Sequence, residues 1–350
     1  MGGIDDLPEA STVTASTFES DSIRVVTGNS DRILAGHVDD PMLGDMTTTG
    51  YLDFSTASDI PGEFRTGPVT SVQLRLVPDY TYGSTTGTTA FHLNEMPSEF
   101  TSNGARADTT LPAGATVTDF SISPTDTLVV IDLPAAWVSA NDATLRGTSF
   151  GTDFHGFQIQ PAGGQTVFGF DLARTVLRVV SNGETVNYPV SQRLWTASRS
   201  GTLALPPNEL LVQDGFGNGV SFDFTFRQDS SLVGGAVNRA IIALYADTLS
   251  LQQNAPANFT RPVLQGVILA ALIDTSAVAL GQFSLRDGKF VMTSGDIINI
   301  VQRRLSGVET ADRFRVTPIV NNTINPLLLY TPSAPDKAPK AVVTVSPTGE

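Results

Sequence analysis

Three aspartates fall inside one short turn, Asp39-Asp-Pro-Met-Leu-Gly-Asp45, so Asp39, Asp40 and Asp45 are the first residues that could do chemistry. A hard cation such as calcium takes about six to eight oxygen ligands at roughly 2.3 to 2.6 Å, and carboxylates gathered in a turn can supply several of them. The spacing is not that of an EF-hand loop, and aspartates that simply shape a solvated turn have the same composition. Tyr80 and Tyr82 form the second candidate. They lie in a Gly-Ser-Thr-rich stretch, where exposed rings can stack on the flat faces of a sugar, and they are the ligand-binding residues the sequence favours. Trp137 and Trp195 have the same chemistry, but Trp137 falls on the apolar side of a short helical pattern and reads as core.

Other chemistries lack their residues. The three histidines, His37, His92 and His155, are scattered, and none has a second ligand two or four positions away, so zinc would have to be assembled across strands. There is no cysteine, which removes thiolate metal sites, disulfides and cysteine nucleophiles. No Gly-x-Ser-x-Gly elbow occurs. The glycine-rich Gly215-Phe-Gly-Asn-Gly219 precedes a strand pattern, not a helix, and so is a turn and not a phosphate cradle. No two carboxylates show a pairing that would serve glycoside hydrolysis. The expectation is a protein that is not an enzyme.

The elements that must position these residues are short strands. Gly and Pro number 31 and 21, charged residues are 16% and hydrophobic ones 41%, a mixture that favours many strands joined by turns. Pro68 to Pro78 alternates with Val69, Val72, Leu74 and Leu76 on the buried side, as a half-buried antiparallel strand does. Val220, Phe222, Phe224 and Phe226 share one face of the strongest strand pattern, and that face belongs in a core. Pro134–Ala140 and Thr293–Leu305 read as the helices. Residues 1–20, rich in Ser, Thr, Asp and Glu, read as an arm that orders on contact or as a disordered leader, with the first strand at Ser22–Thr27. The run Val263–Leu280 is interrupted by Gln265, Gly266 and Asp274 and falls short of the roughly 20 apolar residues of a membrane helix.

The same order of elements occurs twice. Tyr51-Leu-Asp-Phe54 followed by Val72-Gln-Leu-Arg-Leu76 answers to Phe222-Asp-Phe224 followed by Ala240-Ile-Ile-Ala-Leu-Tyr245. The strand, helix and strand from Leu128 to Ile159 answer to those from Phe290 to Ile319. Duplication at the scale of a domain gives an arm at 1–20, one sandwich over 21–195 and a second over 196–350.

At these residues the chain resembles the DNRLRE-type jelly-roll domain of bacterial surface and secreted proteins. The resemblance is carried by Phe222-Asp-Phe224, Ala240–Tyr245, Thr293–Gly307 and Ala338–Val345 in the second half. In the first half, His37-Val-Asp-Asp-Pro-Met-Leu-Gly44 is similar to uncharacterised surface lipoproteins of Bacteroidota. Leu305 and Thr344-Val345 depart from the usual tryptophan and tyrosine of the pattern. The resemblance implies an all-β chain of two tandem jelly-roll β-sandwich domains, each with one short helix, and an extracellular or outer-membrane-surface setting. It also implies a non-catalytic role.

A net charge of −14 opposes the phosphate contacts on which nucleic-acid affinity rests, so the expected partners are polysaccharide, another surface protein or a second copy of the chain. No nucleic acid and no membrane span are expected, and no cofactor beyond the calcium that Asp39, Asp40 and Asp45 could hold. Met1-Gly-Gly has neither the basic nor the apolar region of an export signal; it reads equally as a cytosolic start or as a remnant standing in place of a removed export signal. The functions in contention are a binding or structural component of an extracellular assembly, a carbohydrate-binding accessory module, and a subunit of an extracellular filament or particle.

Overall fold

The computed structural model describes residues 9–273, 276–309 and 313–347; the Met1–Pro8 leader lies outside them. Strands hold about 52% of the residues and helices 11%, so the fold is all-β. Two strands open the chain, β1 (Glu9–Thr14) and β2 (Thr17–Ser22). A first sandwich follows, built from β3 (Arg32–Asp40), β4 (Gly44–Phe54), β5 (Val69–Leu76), β6 (Pro78–Ser84), β7 (Thr89–Glu95), β8 (Thr116–Ile122), β9 (Val129–Asp132), β10 (Phe157–Gly163), β11 (Thr166–Asp171), β12 (Val176–Ser181) and the 17-residue β13 (Glu184–Ser200). The second holds β14 (Glu209–Gln213), β15 (Asn218–Asp223), β16 (Gly235–Asp247), β18 (Gly266–Ile273), β19 (Ser276–Ser284), β20 (Lys289–Met292), β21 (Arg313–Pro318), β22 (Pro326–Tyr330) and β23 (Lys340–Pro347), while β17 (Phe259–Thr260), from the same half of the chain, joins the sheet of the first.

The two sandwiches have the same wiring. In the first, β3 pairs with β4 and β11, β11 with β6, β4 with β10, β10 with β7 and β7 with β8; on the opposite side β12 pairs with β5, and β5 with β9. In the second, β14 pairs with β15 and β22, β22 with the end of β16, β15 with β21, β21 with β18 and β18 with β19; on the opposite side β23 pairs with β16, and β16 with β20. Every pair is antiparallel. A helical crossover links β9 to β10, and another links β20 to β21 in the matching place.

The helices differ in number from the expected one per sandwich. The first crossover breaks into three short helices, Ala135–Ala140, Asp142–Arg146 and Phe150–Asp153. The second is one helix, Gly295–Leu305, started by the Ser294 hydroxyl accepting the Ile297 N–H at 3.2 Å. A further helix, Leu249–Gln253, precedes β17.

The closing strand comes from different parts of the chain in the two sandwiches. In the first, the early half of β13 pairs with β12 and its later half crosses over to pair with β4. In the second, β1 pairs with β23 and β2 pairs with β15, so the arm at the start of the chain does the work of β13. The second sandwich is thus a circular permutation of the first. The chain's first strands run over Glu9–Thr14 and Thr17–Ser22, not over Ser22–Thr27, and residues 23–31 are a connector. The last strand of the first sandwich, β13, runs to Ser200.

The apolar interior is continuous between the halves. Leu211, Leu251, Ile324 and Leu328 of the second half pack in the core that holds Leu74, Phe91, Phe157, Phe168 and Trp195 of the first. β17 adds to the edge of β6, with Phe259 opposite Ser84 and Thr260 opposite Gly83.

Candidate functional site

The turn aspartates part company in the folded chain. Asp40 is buried and committed: its carboxylate accepts from Arg261 Nε at 2.9 Å and Nη2 at 2.7 Å, from the Tyr82 hydroxyl at 2.6 Å, and from the N–H groups of Met42 and Leu43 at 2.9 and 3.0 Å. Burial alone would raise the Asp40 carboxyl, but the hydrogen bonds from Arg261 and Tyr82 outweigh it and hold it below the usual range. Asp45 pairs with His37 Nε2 at 3.0 Å, while Asp39 stands exposed. Among the described residues no group of three or more acidic or histidine side chains is placed to hold a metal ion.

The tyrosines point inwards. Tyr82 is fully buried, its ring against Phe259, and the Tyr80 hydroxyl donates to Asn325 Oδ1 at 2.8 Å and accepts the Ile324 N–H at 3.3 Å. Neither ring is the exposed stacking surface that the loop composition suggests, because Pro78–Ser84 is strand β6 and lies between β11 and β17. Trp195 is buried, and half-buried Trp137 donates from Nε1 to Glu95 at 2.6 Å. The large hydrophobic residues exposed among the described ones are Val and Leu, without an aromatic strip. His92 pairs with Asp119 at 2.6 Å.

The structure instead brings together residues that spacing alone does not connect. Asp53, near the end of β4, lines a cleft of about 460 Å³ together with Ser55, Thr56, Glu99, Thr148, Ser149, Thr152, Ser191 and Gln192. Asp53 is 5% exposed. Its Oδ1 accepts the Phe54 N–H at 2.7 Å. Burial pushes the Asp53 carboxyl up to about 6, opposed by the Phe54 N–H and by nearby His155 and reinforced by Glu99. Ser191 and Gln192 reach the cleft because the ladder between β13 and β4 slips between Val190 and Arg193, and Gln192 is held by the Ser102 hydroxyl.

The counterpart in the second sandwich shows what the cleft is. Asp223 occupies the matching place on β15, but there the Thr17 hydroxyl of β2 donates to its Oδ2 at 2.7 Å. The aspartate belongs to the fold, at the point where the closing strand crosses between sheets. Only in the first sandwich is the place open.

A second carboxyl pair sits at the end of β14. Glu209 and Asp247 are 7% and 9% exposed. Burial raises the Glu209 carboxyl to about 7, helped by its hydrogen bond to Asp247. Burial would raise Asp247 too, but the Ser250 hydroxyl and N–H, at 2.6 and 2.9 Å, and the Leu249 N–H keep it low. The pair's proton is therefore held on the Glu209 side, below about pH 7. The folded-state value of Glu209 exceeds the ordinary 4.5, so the folded state holds more protons between pH 4.5 and about 7, and stability falls as pH rises through that window. Glu209→Gln should leave the melting temperature unchanged near pH 5 and raise it by about 2 to 4 °C at pH 8. Thermal unfolding at the two pH values checks this; an equal shift at both would mean the pair does not share a proton.

No protein-family model matches the chain, and no curated protein matches it. Solved structures align along its length at low similarity. A Parabacteroides distasonis protein described as secreted is 12% identical, with 95% of this chain and 100% of that chain covered and a TM-score of 0.21. A conserved Pseudomonas aeruginosa protein of unknown function is 9% identical, with 97% and 99% covered and a TM-score of 0.15. The tandem CBM22 domain of Paenibacillus barcinonensis Xyn10C is 10% identical, with 99% and 100% covered and a TM-score of 0.12. Scores this low carry no argument, and the likeness to DNRLRE-type domains rests on the order of motifs alone.

Proposed function

We propose that this is a non-catalytic, exported bacterial surface protein that acts as a rigid binding scaffold, with the Asp53 cleft as its ligand site and a hydroxyl-rich ligand, a saccharide, as the occupant. The observation that carries the reading is Asp53, more than nine-tenths buried yet lining a cleft together with serines, threonines, Gln192 and Glu99. Hydroxyl and amide side chains both donate and accept, as sugar hydroxyls do. The absence of exposed rings among the described residues replaces stacking with hydrogen bonding, so binding is weak, with about 4 to 8 kcal/mol corresponding to millimolar to micromolar dissociation constants. Calcium has no part in the reading, since Asp40 is already filled by Arg261.

Among the described residues no histidine takes the proton of a serine or threonine; His37 faces the Gly164 carbonyl and His92 faces Asp119. Titration calorimetry with neutral oligosaccharides at pH 7 tests the reading. Asp53→Asn should weaken binding at least about tenfold, one hydrogen bond to a charged group being worth about 1.5 to 3 kcal/mol. Tyr80→Phe and His92→Ala should leave it unchanged, as should a chelator. Equal affinity in Asp53→Asn would sink the cleft as the site, and sugar hydrolysis abolished by that substitution would sink the non-catalytic reading.

A further inference from the structure

The arm that closes the second sandwich is held almost wholly by that sandwich, and the connector behind it by the other. β1 runs Glu9–Thr14 against Val345–Lys340, and β2 runs Thr17–Asp21 against Asp223–Gly219. Thr17 bonds Asp223, Ser11 bonds Asp229, and Glu19 and Asp21 pair with Arg313 and Arg315 at 2.7 and 2.6 Å. From Val25 onwards the chain belongs to the first sandwich: Val25 accepts the Ala107 N–H, Thr27 and Gly28 donate to the Ala105 carbonyl, and Asn29 donates to Arg193. The approach is close enough at Gly28 that a side chain would meet the Ser102 carbonyl at 1.6 Å. The arm's hold on the second sandwich extends through Ser22, opposite Asn218, to Ile23, whose N–H donates to the Gly217 carbonyl at 2.8 Å, so Arg24 is the link between the two anchored stretches, beside an open cavity of about 380 Å³ shared with Ala107, Asp108, Ala197, Gly215 and Phe216.

The arm is also the lightly anchored version of its counterpart. β13 buries Val186, Tyr188, Leu194 and Trp195, whereas the arm buries Val13 and Ala15 and lays Phe18 on Phe222 at 5.6 Å. A slot without its arm exposes the hydrogen-bonding edges of β23 and β15, which are templates for another strand. The sequence that fits that register and those charges is the arm itself.

We propose that residues 9–23 are an exchangeable donor segment, pivoting at Arg24 to close the second sandwich of another copy of this chain. The contacts made in the exchanged state are the same as those made within one chain, so the exchange loses only the advantage of local concentration and grows with protein concentration. It stands independently of the cleft.

The absence of cysteine makes the test clean. Thr12 and Val342 face each other across β1 and β23. Tagged Thr12→Cys chain is mixed with untagged Val342→Cys chain under mild oxidation, beside the double variant and a control in which exposed Ser58→Cys replaces Val342→Cys. The expected result is closure within the chain for the double variant and a covalent heterodimer in the mixture. Its yield should rise with concentration and form about tenfold faster with Phe18→Ala added, while the control gives none. Failure of the double variant to close would show the register wrong and overturn the proposal. Closure in the double variant with no heterodimer in the mixture, even with Phe18→Ala, would overturn it equally, as would equal yield in the control.

Discussion

Arg261→Ala should destabilise the whole chain by about 3 to 5 kcal/mol, the cost of leaving a buried charge without its partner. Arg261 and Asp40 are 221 positions apart and both fully buried, joined by two hydrogen bonds of 2.7 and 2.9 Å. The guanidinium also donates to the Leu251 carbonyl, and Gln252 donates to the Arg261 carbonyl at 2.8 Å, so one side chain ties the Leu249–Gln253 helix and β17 to the β3–β4 turn. Removing it strands the Asp40 carboxylate with Tyr82 and two N–H groups. Replacing both members by apolar residues of similar volume should cost less than the single change, because no charge is then left behind. Urea unfolding of the single and double variants measures the difference; a single-variant loss below ~1 kcal/mol would mean that water reaches the pair. The pair also sets an acid limit. Its contribution is complete above the ordinary carboxyl value of 3.8 and is lost as pH falls through the lower folded-state value, so wild type should weaken below about pH 4 while Arg261→Ala changes little there.

How far the sequence discloses the fold depends on the range of the interactions involved. Alternation along Val69–Leu76 is a property of eight neighbouring residues, and it predicts the strand and its buried face directly. The Ser294 cap and the apolar stripe Ile297, Ile300, Val301 and Leu305 are equally local, and the Gly295–Leu305 helix follows. The duplicated order of motifs is legible because both copies keep the aromatic-Asp pattern at Asp53 and Asp223. The arm is another matter. Its Ser, Thr and Glu residues form strands only because edges more than 190 residues away accept them, and no local pattern names that partner. The same holds for Asp40, whose turn composition suggests solvent while Arg261 supplies its burial. Tyr80 and Tyr82 mislead for a related reason: Gly83 at φ 114° lets the strand run where a side chain would strike the Gln165 carbonyl at 2.3 Å, so a glycine that signals a loop marks a close crossing of two strands.

Phe224→Ala should destabilise the second sandwich by about 3 to 5 kcal/mol, the usual cost of removing a fully buried ring. The sequence predicts Phe222, Phe224 and Phe226 on one inward face, and all three are fully buried, although β15 ends at Asp223 and Phe226 opens a short 3-10 turn. Phe224 is the middle of the row: its ring lies 5.5 Å from Phe222, 5.4 Å from Phe226 and 5.8 Å from Phe314 across the sheet. The opposite face is not simply solvent. Ser221 is buried and accepts from Arg313 at 2.7 Å, while Asp223 meets the arm. Loss of the Phe224 ring therefore opens a cavity beneath the strand that receives β2, and the arm should loosen with it. Denaturant unfolding gives the global loss, and amide exchange gives its distribution. Protection at Phe18 and Ser20 should fall alongside that of the core, while the closing strand of the first sandwich, at Leu194 and Trp195, keeps its rates longer. A loss under ~1 kcal/mol, or exchange rising equally in both closing strands, would mean that the row of rings does not support the arm.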